Sequence, residues 1–357
     1  MKYMRNYYFI LGNGFTIDFL NHIKKLDEID VFNLFSQGDQ VPYPQDKEPG
    51  FLSFKRCPNL WNLGARSYMK NTDSMTLIED IITCANMANN STGRHIDSAY
   101  ISAYQELSAY LKSLFVYYNS KLNSTDFKED IQDWGWINML KKLSNSSQCS
   151  NITIVTYNYD IFLERILAEN NINFEILGFK DSKYISTEPC KIKIIKPHGS
   201  ISFSYAEPID PSRFQITSKI RELTNGRTLD YKINYTELDN IYMFNAMIPP
   251  AGDSFKLANS NTFNMDSDEN WATTLRKLTL TEANKLNYGD ELLICGLSYW
   301  HVDRTEIDNI LTSIHADVNV KVINPNPSNT FSAVLNSLFT NNIFYRSSKV
   351  LGGLYND

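Results

Sequence analysis

The feature that most limits how this chain can fold is an alternation. Short apolar, β-branched runs end in polar or glycine turns, and each leads into a longer run whose apolar residues recur every three or four positions. From residue 150 onward the strand-like runs are Ile152 to Val155, Phe174 to Leu177, Ile192 to Ile195, Glu291 to Leu297 and Val318 to Ile323. Between them lie amphipathic stretches over 161–167, 269–286 and 303–314, and Ser328 opens one more. The first such pair comes much earlier: Tyr7 to Leu11 reads as a buried strand, Gly12-Asn13-Gly14 turns the chain, and Ile17, Leu20 and Ile23 share a face. Strand and helix in repeated succession imply a doubly wound parallel sheet with helices on both faces.

A chain of 357 residues fits two domains, or one large α/β domain carrying an insertion. The α/β pattern breaks off after residue 27 and resumes only near 150, so 28–149 reads as a helical insertion between a first β-α unit (1–27) and the remainder of the domain (150–357). A loop rich in Pro, Gly and charge (Gln37 to Gly50) opens the insertion. Its clearest helix, Tyr100 to Leu122, carries Ile101, Tyr104, Leu107, Leu111, Leu114, Phe115 and Tyr118 on one stripe. Such a stripe is core packing in most proteins. Its length here also leads us to expect a unit that covers the pocket or mediates self-association.

A net charge of −6 argues against a protein built to hold a phosphate backbone, which needs clustered Lys and Arg. The five cysteines, Cys57, Cys84, Cys149, Cys190 and Cys295, are scattered without a C-x-x-C pair, so neither a zinc ribbon nor a disulfide framework is expected. A reduced, cytoplasmic setting fits that usage best. No apolar run approaches the ~18 residues of a membrane span, and the first apolar run lacks a signal-peptide cleavage site. The Asn-x-Ser/Thr matches, such as Asn90-Ser91-Thr92, reflect an Asn-rich composition.

Two polar clusters follow strand-like runs: Thr156-Tyr157-Asn158-Tyr159-Asp160 and Lys196-Pro197-His198-Gly199-Ser200. The carboxyl ends of strands in an open α/β sheet face the ligand crevice, so Asn158 and His198 are expected to converge there. Taken singly, each has an ordinary explanation. An Asn before an Asp often serves a helix start, a lone His after a strand is usually structural, and Asp160 is placed to cap the helix that follows. Gly12 and Gly14 suit the approach of a phosphate to a helix N-terminus, and equally a tight turn used for packing. No metal-ligand spacing, Gly-x-Ser-x-Gly elbow or Walker loop is present.

In order along the chain, GNGFTIDF, VTYNYDIFLE, KPHGS, IPPAGDSFK with Trp271 downstream, ICGLSYWHVDRTEI and VINPNP resemble the sirtuin-like NAD-hydrolase family of bacterial antiphage defence. The resemblance spans nearly the whole chain outside the insertion. It implies a Rossmann-like, sirtuin-like domain that takes NAD as substrate and cleaves its nicotinamide bond. Carried over by position, Asn158 and His198 match the catalytic pair. Gly12, Asn13, Gly14 and Asp18 match the first cofactor loop, Ser298 a phosphate-contacting position and Asn324 an adenosine-ribose position. Asp160 belongs to the Asn-Tyr-Asp motif, and Asp303 matches an acidic position after the serine.

The zinc-binding Cys pairs and the Pro-Asp-Phe-Arg run of protein-deacylase sirtuins have no counterpart here, which favours hydrolysis over deacylation, and Trp300-His301 replaces a smaller step after the serine. Members of the family often assemble, so a homo-oligomer and an ATPase of a defence system are the partners the resemblance implies. A zinc-free deacylase or ADP-ribosyltransferase, and a non-catalytic NAD- or ADP-ribose-binding assembly module, are the competing readings. Because neither Asn158 nor His198 is expected to fill core volume, their Ala variants are expected to fold.

Overall fold

The computed structural model describes residues 4–89, 98–185, 187–216, 223–249, 270–299 and 301–355, with the side chains at 89 and 301–303 left undescribed. Its main sheet has seven strands: β1 (Arg5–Leu11), β2 (Cys149–Thr156), β3 (Phe174–Ile176), β4 (Ile192–Ile195), β7 (Glu291–Cys295), β8 (Asn319–Ile323) and β9 (Asn341–Tyr345). They run in the order β3-β4-β2-β1-β7-β8-β9, and every pairing is parallel. From the central β1 the chain lays β2 beside it, places β3 at the edge and inserts β4 between them, then returns beside β1 at β7 and builds outward on the other side. The fold is therefore a Rossmann-like, doubly wound α/β sheet, and its topological switch point lies between β1 and β7.

Strand alternation shows how both faces are covered. Neighbouring residues of β1 point to opposite sides. On one side the Tyr8 hydroxyl donates to the Thr279 carbonyl of α8 (Trp271–Ala283). On the other Phe9 meets Trp136 of α6 (Gly135–Asn145) edge to face, with ring centroids 6.3 Å apart. The strand is buried on both faces because both are roofed, which is why β1 and β7 read as unbroken apolar runs.

Between α1 (Asn13–His22) and β2 the described chain holds loops and turns, then α2 (Pro58–Asn62), α3 (Asn71–Asn89), α4 (Ala99–Ser120), α5 (Ser124–Lys128) and α6. The aromatic stripe of α4 is buried throughout, in a helix that packs against α2 and α3, and Phe115 meets Tyr159 at 5.4 Å. Unlike α3 and α4, α6 lies directly on β2 and on α11 (Leu351–Leu354), so the last helix before residue 149 belongs to the layer that covers the sheet.

The remaining helices are α7 (Phe162–Glu169), α9 (His301–Ser313) and α10 (Asn329–Leu338), the last capped by Ser328. Three strands have no counterpart in the sequence reading. A small antiparallel pair, β5 (Phe203–Tyr205) and β6 (Tyr231–Ile233), lies within a polar stretch, and β9 forms a half-exposed sheet edge. Among the described residues no helix is long and apolar enough to cross a membrane, and no group of three or more His, Cys, Asp or Glu is placed to hold a metal.

Candidate functional site

One register line orders the carboxyl edge of the sheet. Ile10, Val155, Ile195, Ile294 and Val322 are level across β1, β2, β4, β7 and β8. Gly12 and Asn324 lie two residues beyond that line, Asn158 and His198 three, and Ser298 four. Five positions scattered along the chain thus leave one edge at nearly one height, around the switch point.

The two polar clusters touch directly. The rings of Tyr157 and His198 meet edge to face at 4.9 Å, the Ile201 amide donates to the Tyr159 carbonyl at 3.1 Å, and Lys196 Nζ donates to the Asp160 carbonyl. Gly199 sits at φ +89°, a left-handed turn that an L side chain would strain, and a Cβ there would overlap the Ala246 carbonyl. That glycine lets the chain reverse just after His198 and dock on 246–248: the Ser200 amide donates to Ala246, and the Ile248 amide to the His198 carbonyl.

Asn158 is half-buried and oriented by its amide nitrogen. Its Nδ2 donates to the Gly12 carbonyl at 3.1 Å and to Thr16 Oγ1 at 2.9 Å. The Thr16 hydroxyl passes its own proton to Asp160 Oδ2 at 2.8 Å, and Asp160 Oδ1 accepts the Phe162 amide at the start of α7. With both amide protons committed, the Asn158 carbonyl oxygen is the group available to a ligand. Burial raises the Asp160 carboxyl above its ordinary range, against the pull of Lys196, the Phe162 amide and Thr16. Beneath it Lys196 and Glu164 form an ion pair at 2.8 Å, each side chain about 1% exposed. Asp160 is thus both the partial cap foreseen for α7 and the terminus of a hydrogen-bond relay.

His198 is only 1% exposed, so its ring does occupy core volume, contrary to expectation. Its Nε2 lies 3.2 Å from Glu306 Oε2 of α9, and Arg276 Nε of α8 approaches the same oxygen at 3.4 Å. The Tyr157 hydroxyl donates to the other oxygen of Glu306 at 3.4 Å. Burial alone would raise the Glu306 carboxyl, but the Arg276 guanidinium and then His198 outweigh it and hold it at about 2. The carboxylate behind the histidine is therefore charged at any physiological pH.

The glycines of the first turn are explained in part by packing. The Gly14 amide donates to the Gly296 carbonyl and the Gly12 amide to the Cys295 carbonyl. A Cβ on Gly14 would overlap the Gly296 Cα, so the start of α1 and the end of β7 approach backbone to backbone. Asn13 is exposed and donates to the Val31 carbonyl, while Asp18 accepts the Trp134 indole N–H at 2.9 Å and so faces the helical layer. Ser298 is exposed, its hydroxyl without a hydrogen bond among the described residues. Asn324 bridges two turns, donating to the Leu297 carbonyl and accepting the Asn326 amide. The Pro250 to Lys256 part of the IPPAGDSFK motif, Trp300, the Asp303 side chain and Asn90 to Thr92 lie outside the described residues.

Sequence reasoning missed Thr16, Glu306 and Arg276. Thr16 and Glu306 lie within GNGFTIDF and ICGLSYWHVDRTEI, but nothing local marks them as partners of Asn158 and His198. Arg276 carries no sequence signal beyond being a charge on an otherwise amphipathic helix. No family model and no curated protein matches the chain.

Proposed function

We propose that this chain is an NAD glycohydrolase that converts NAD and water into nicotinamide, ADP-ribose and a proton, acting as an antiphage effector that depletes cellular NAD. The observation that supports this reading is the convergence of Asn158 and His198 at one height on adjacent strands, beside the β1/β7 switch point where a dinucleotide binds in folds of this class. Cleavage of the ribose–nicotinamide bond builds positive charge on the sugar, and nicotinamide leaves as a neutral molecule without needing a strong acid. The protein must hold the ribose, place a water and accept its proton.

Asn158 suits the first task, because its carbonyl oxygen is aimed by two hydrogen bonds on the nitrogen side. His198 suits the last. With its Nε2 proton given to Glu306, Nδ1 holds the lone pair that takes the water's proton, and the adjacent carboxylate stabilises the resulting imidazolium. Ser298 and Asn324 are the groups we assign to phosphate and adenosine ribose. Homo-oligomer formation and a defence-system ATPase partner are part of the same proposal.

A second reading, a module that binds NAD or ADP-ribose without cutting it, is favoured by the burial of His198 and by the Gly14 amide being spent on Gly296. Incubation of the full chain with NAD, with and without an acylated peptide, while nicotinamide is followed, separates the readings. Hydrolysis predicts nicotinamide release without peptide and a fall of roughly a hundredfold or more in Asn158→Ala and His198→Ala. Release that depends on the peptide points to deacylation. Folded Ala variants with unchanged release would remove both residues from the mechanism.

A further inference from the structure

One cavity, of about 560 Å³, lies away from the strand ends. It lies between one face of α4, the loop around Pro42 to Lys47 and the segment 236–245, and none of Gly12, Asn158, His198, Ser298 or Asn324 lines it. Its volume is in the range that encloses a small organic ligand.

Three polar groups on its wall have hydrogen-bonding capacity left unused among the described residues. Lys112 makes no ion pair or hydrogen bond among the described residues, and its ammonium only faces the Tyr242 ring at 5.4 Å. Gln105, two helical turns earlier on the same face of α4 and 4% exposed, has an amide nitrogen without an acceptor. Asn245 donates to the Ser108 carbonyl but leaves its own buried carbonyl oxygen unsatisfied. Two of these atoms, the Gln105 amide nitrogen and the Asn245 carbonyl oxygen, are fully buried and unsatisfied, a costly arrangement that calls for a ligand. Burial also lowers the Lys112 ammonium to about 8, the behaviour of a cation without a counter-ion.

The other charges on the wall, Lys47 and Asp239, neutralise each other at 3.3 Å, so the cavity offers one net positive charge. The rest of the lining is largely apolar and aromatic, with Val116, Phe214, Leu238 and Phe244. We propose that this cavity binds a small ring-bearing organic anion, its acid group on Lys112, its ring among the aromatic side chains and an amide-like edge on Gln105 and Asn245. An aryl carboxylate and a nucleoside monophosphate share that chemistry. Past Asn245 the same segment becomes Ala246 to Ile248, which holds the turn after His198, so a ligand here bears on the chain that positions that ring.

Titration calorimetry on the full chain with indole-3-acetate and with adenosine 5′-monophosphate, each beside its neutral analogue (indole-3-acetamide, adenosine), tests the assignment and distinguishes the two acid groups. One anion is expected to bind one-to-one, at least tenfold tighter than its neutral analogue. Lys112→Met is expected to abolish that preference while leaving the melting temperature unchanged or higher, since Lys112 has no ion pair or hydrogen bond to lose among the described residues and methionine keeps an apolar contact with the Tyr242 ring. Ala109→Trp, which fills the cavity from between Gln105 and Lys112, is expected to block binding with all polar groups in place. The proposal is overturned if neither anion binds at millimolar concentration, or if binding is indifferent to both variants. It is equally overturned if binding persists in Lys112→Met and disappears in Asn324→Ala, which would put the ligand at the strand ends.

Discussion

Asn158 and His198 stand on neighbouring strand ends and are held by different forces. Around Asn158 the contacts are neutral: a backbone carbonyl, then the Thr16 hydroxyl, and only beyond that the buried Asp160 with the Lys196–Glu164 pair below. Around His198 the charge is immediate, with Glu306 on the ring nitrogen and Arg276 on the same carboxylate. The difference teaches which property each side protects. Direction is what a relay of fixed hydrogen bonds preserves for Asn158. A fixed negative charge beside the ring is what the Glu306 carboxylate, held ionised by Arg276, keeps for His198.

The largest test of this contrast is Glu306→Ala, which leaves Arg276 without its carboxylate and His198 without its acceptor. A stability loss of about 3–5 kcal/mol is expected from urea unfolding, because breaking a buried ion pair by removing one partner costs more than the intact pair contributed. If the variant unfolds at the parent's midpoint, the cluster on the His198 side is not the strong one.

Acid titration of stability gives the next effect and opposes the two sides in sign. The Glu306 carboxyl is depressed from an ordinary 4.5 to about 2. Its contribution, up to about 3 kcal/mol, is therefore complete above pH 4.5 and is lost as the pH falls through about 2. The advantage of the parent over Glu306→Gln should shrink across that window. Asp160 is shifted upward, so its contribution is present below its ordinary value of 3.8 and is lost as the pH rises through the folded value. Relative to Asp160→Asn, the parent should weaken with rising pH. Curves that move in the same direction would erase the distinction drawn here.

Gly14→Ala probes the backbone contact under the Asn158 side. With its Cβ overlapping the Gly296 Cα, the start of α1 must back away from β7, at an expected cost of about 1–3 kcal/mol. The chemical-exchange protection of the Gly14 amide should fall with it. The smallest effect belongs to Thr16→Val, which keeps the shape and removes the hydroxyl between Asn158 and Asp160. We expect about 1–2 kcal/mol of destabilisation. On the proposed reaction, nicotinamide release should drop without a change in its pH profile, because Asn158 loses its aim while the His198 cluster is untouched. A shifted pH profile would show that the two sides share one titration.

Much of this architecture was legible in the residues. Strands β1, β2, β4, β7 and β8 are buried, largely apolar runs because each is covered on both faces, and such runs are visible locally. Parallel pairing follows from their alternation with helices, and with it the placement of Asn158 and His198 on one edge. The short β5–β6 pair and the half-exposed β9 gave no such signal, since three residues set in a polar stretch hold no periodicity and an exposed edge need not be apolar.

The sequence by itself determined that polar groups would follow the strands, because periodicity and turn chemistry act over a few neighbouring residues. Only the tertiary structure decided which groups would meet. Glu306 of α9 meets His198, three residues past the end of β4, Arg276 joins them from α8, and Gly14 closes on Gly296 because β7 returns beside β1. Nor could the residues announce that Lys112, Gln105 and Asn245 would line one cavity with polar capacity unused among the described residues, since that is a property of the space around a side chain. Long-range pairing depends on strand order and helix packing, and these are settled by burying the whole chain at once.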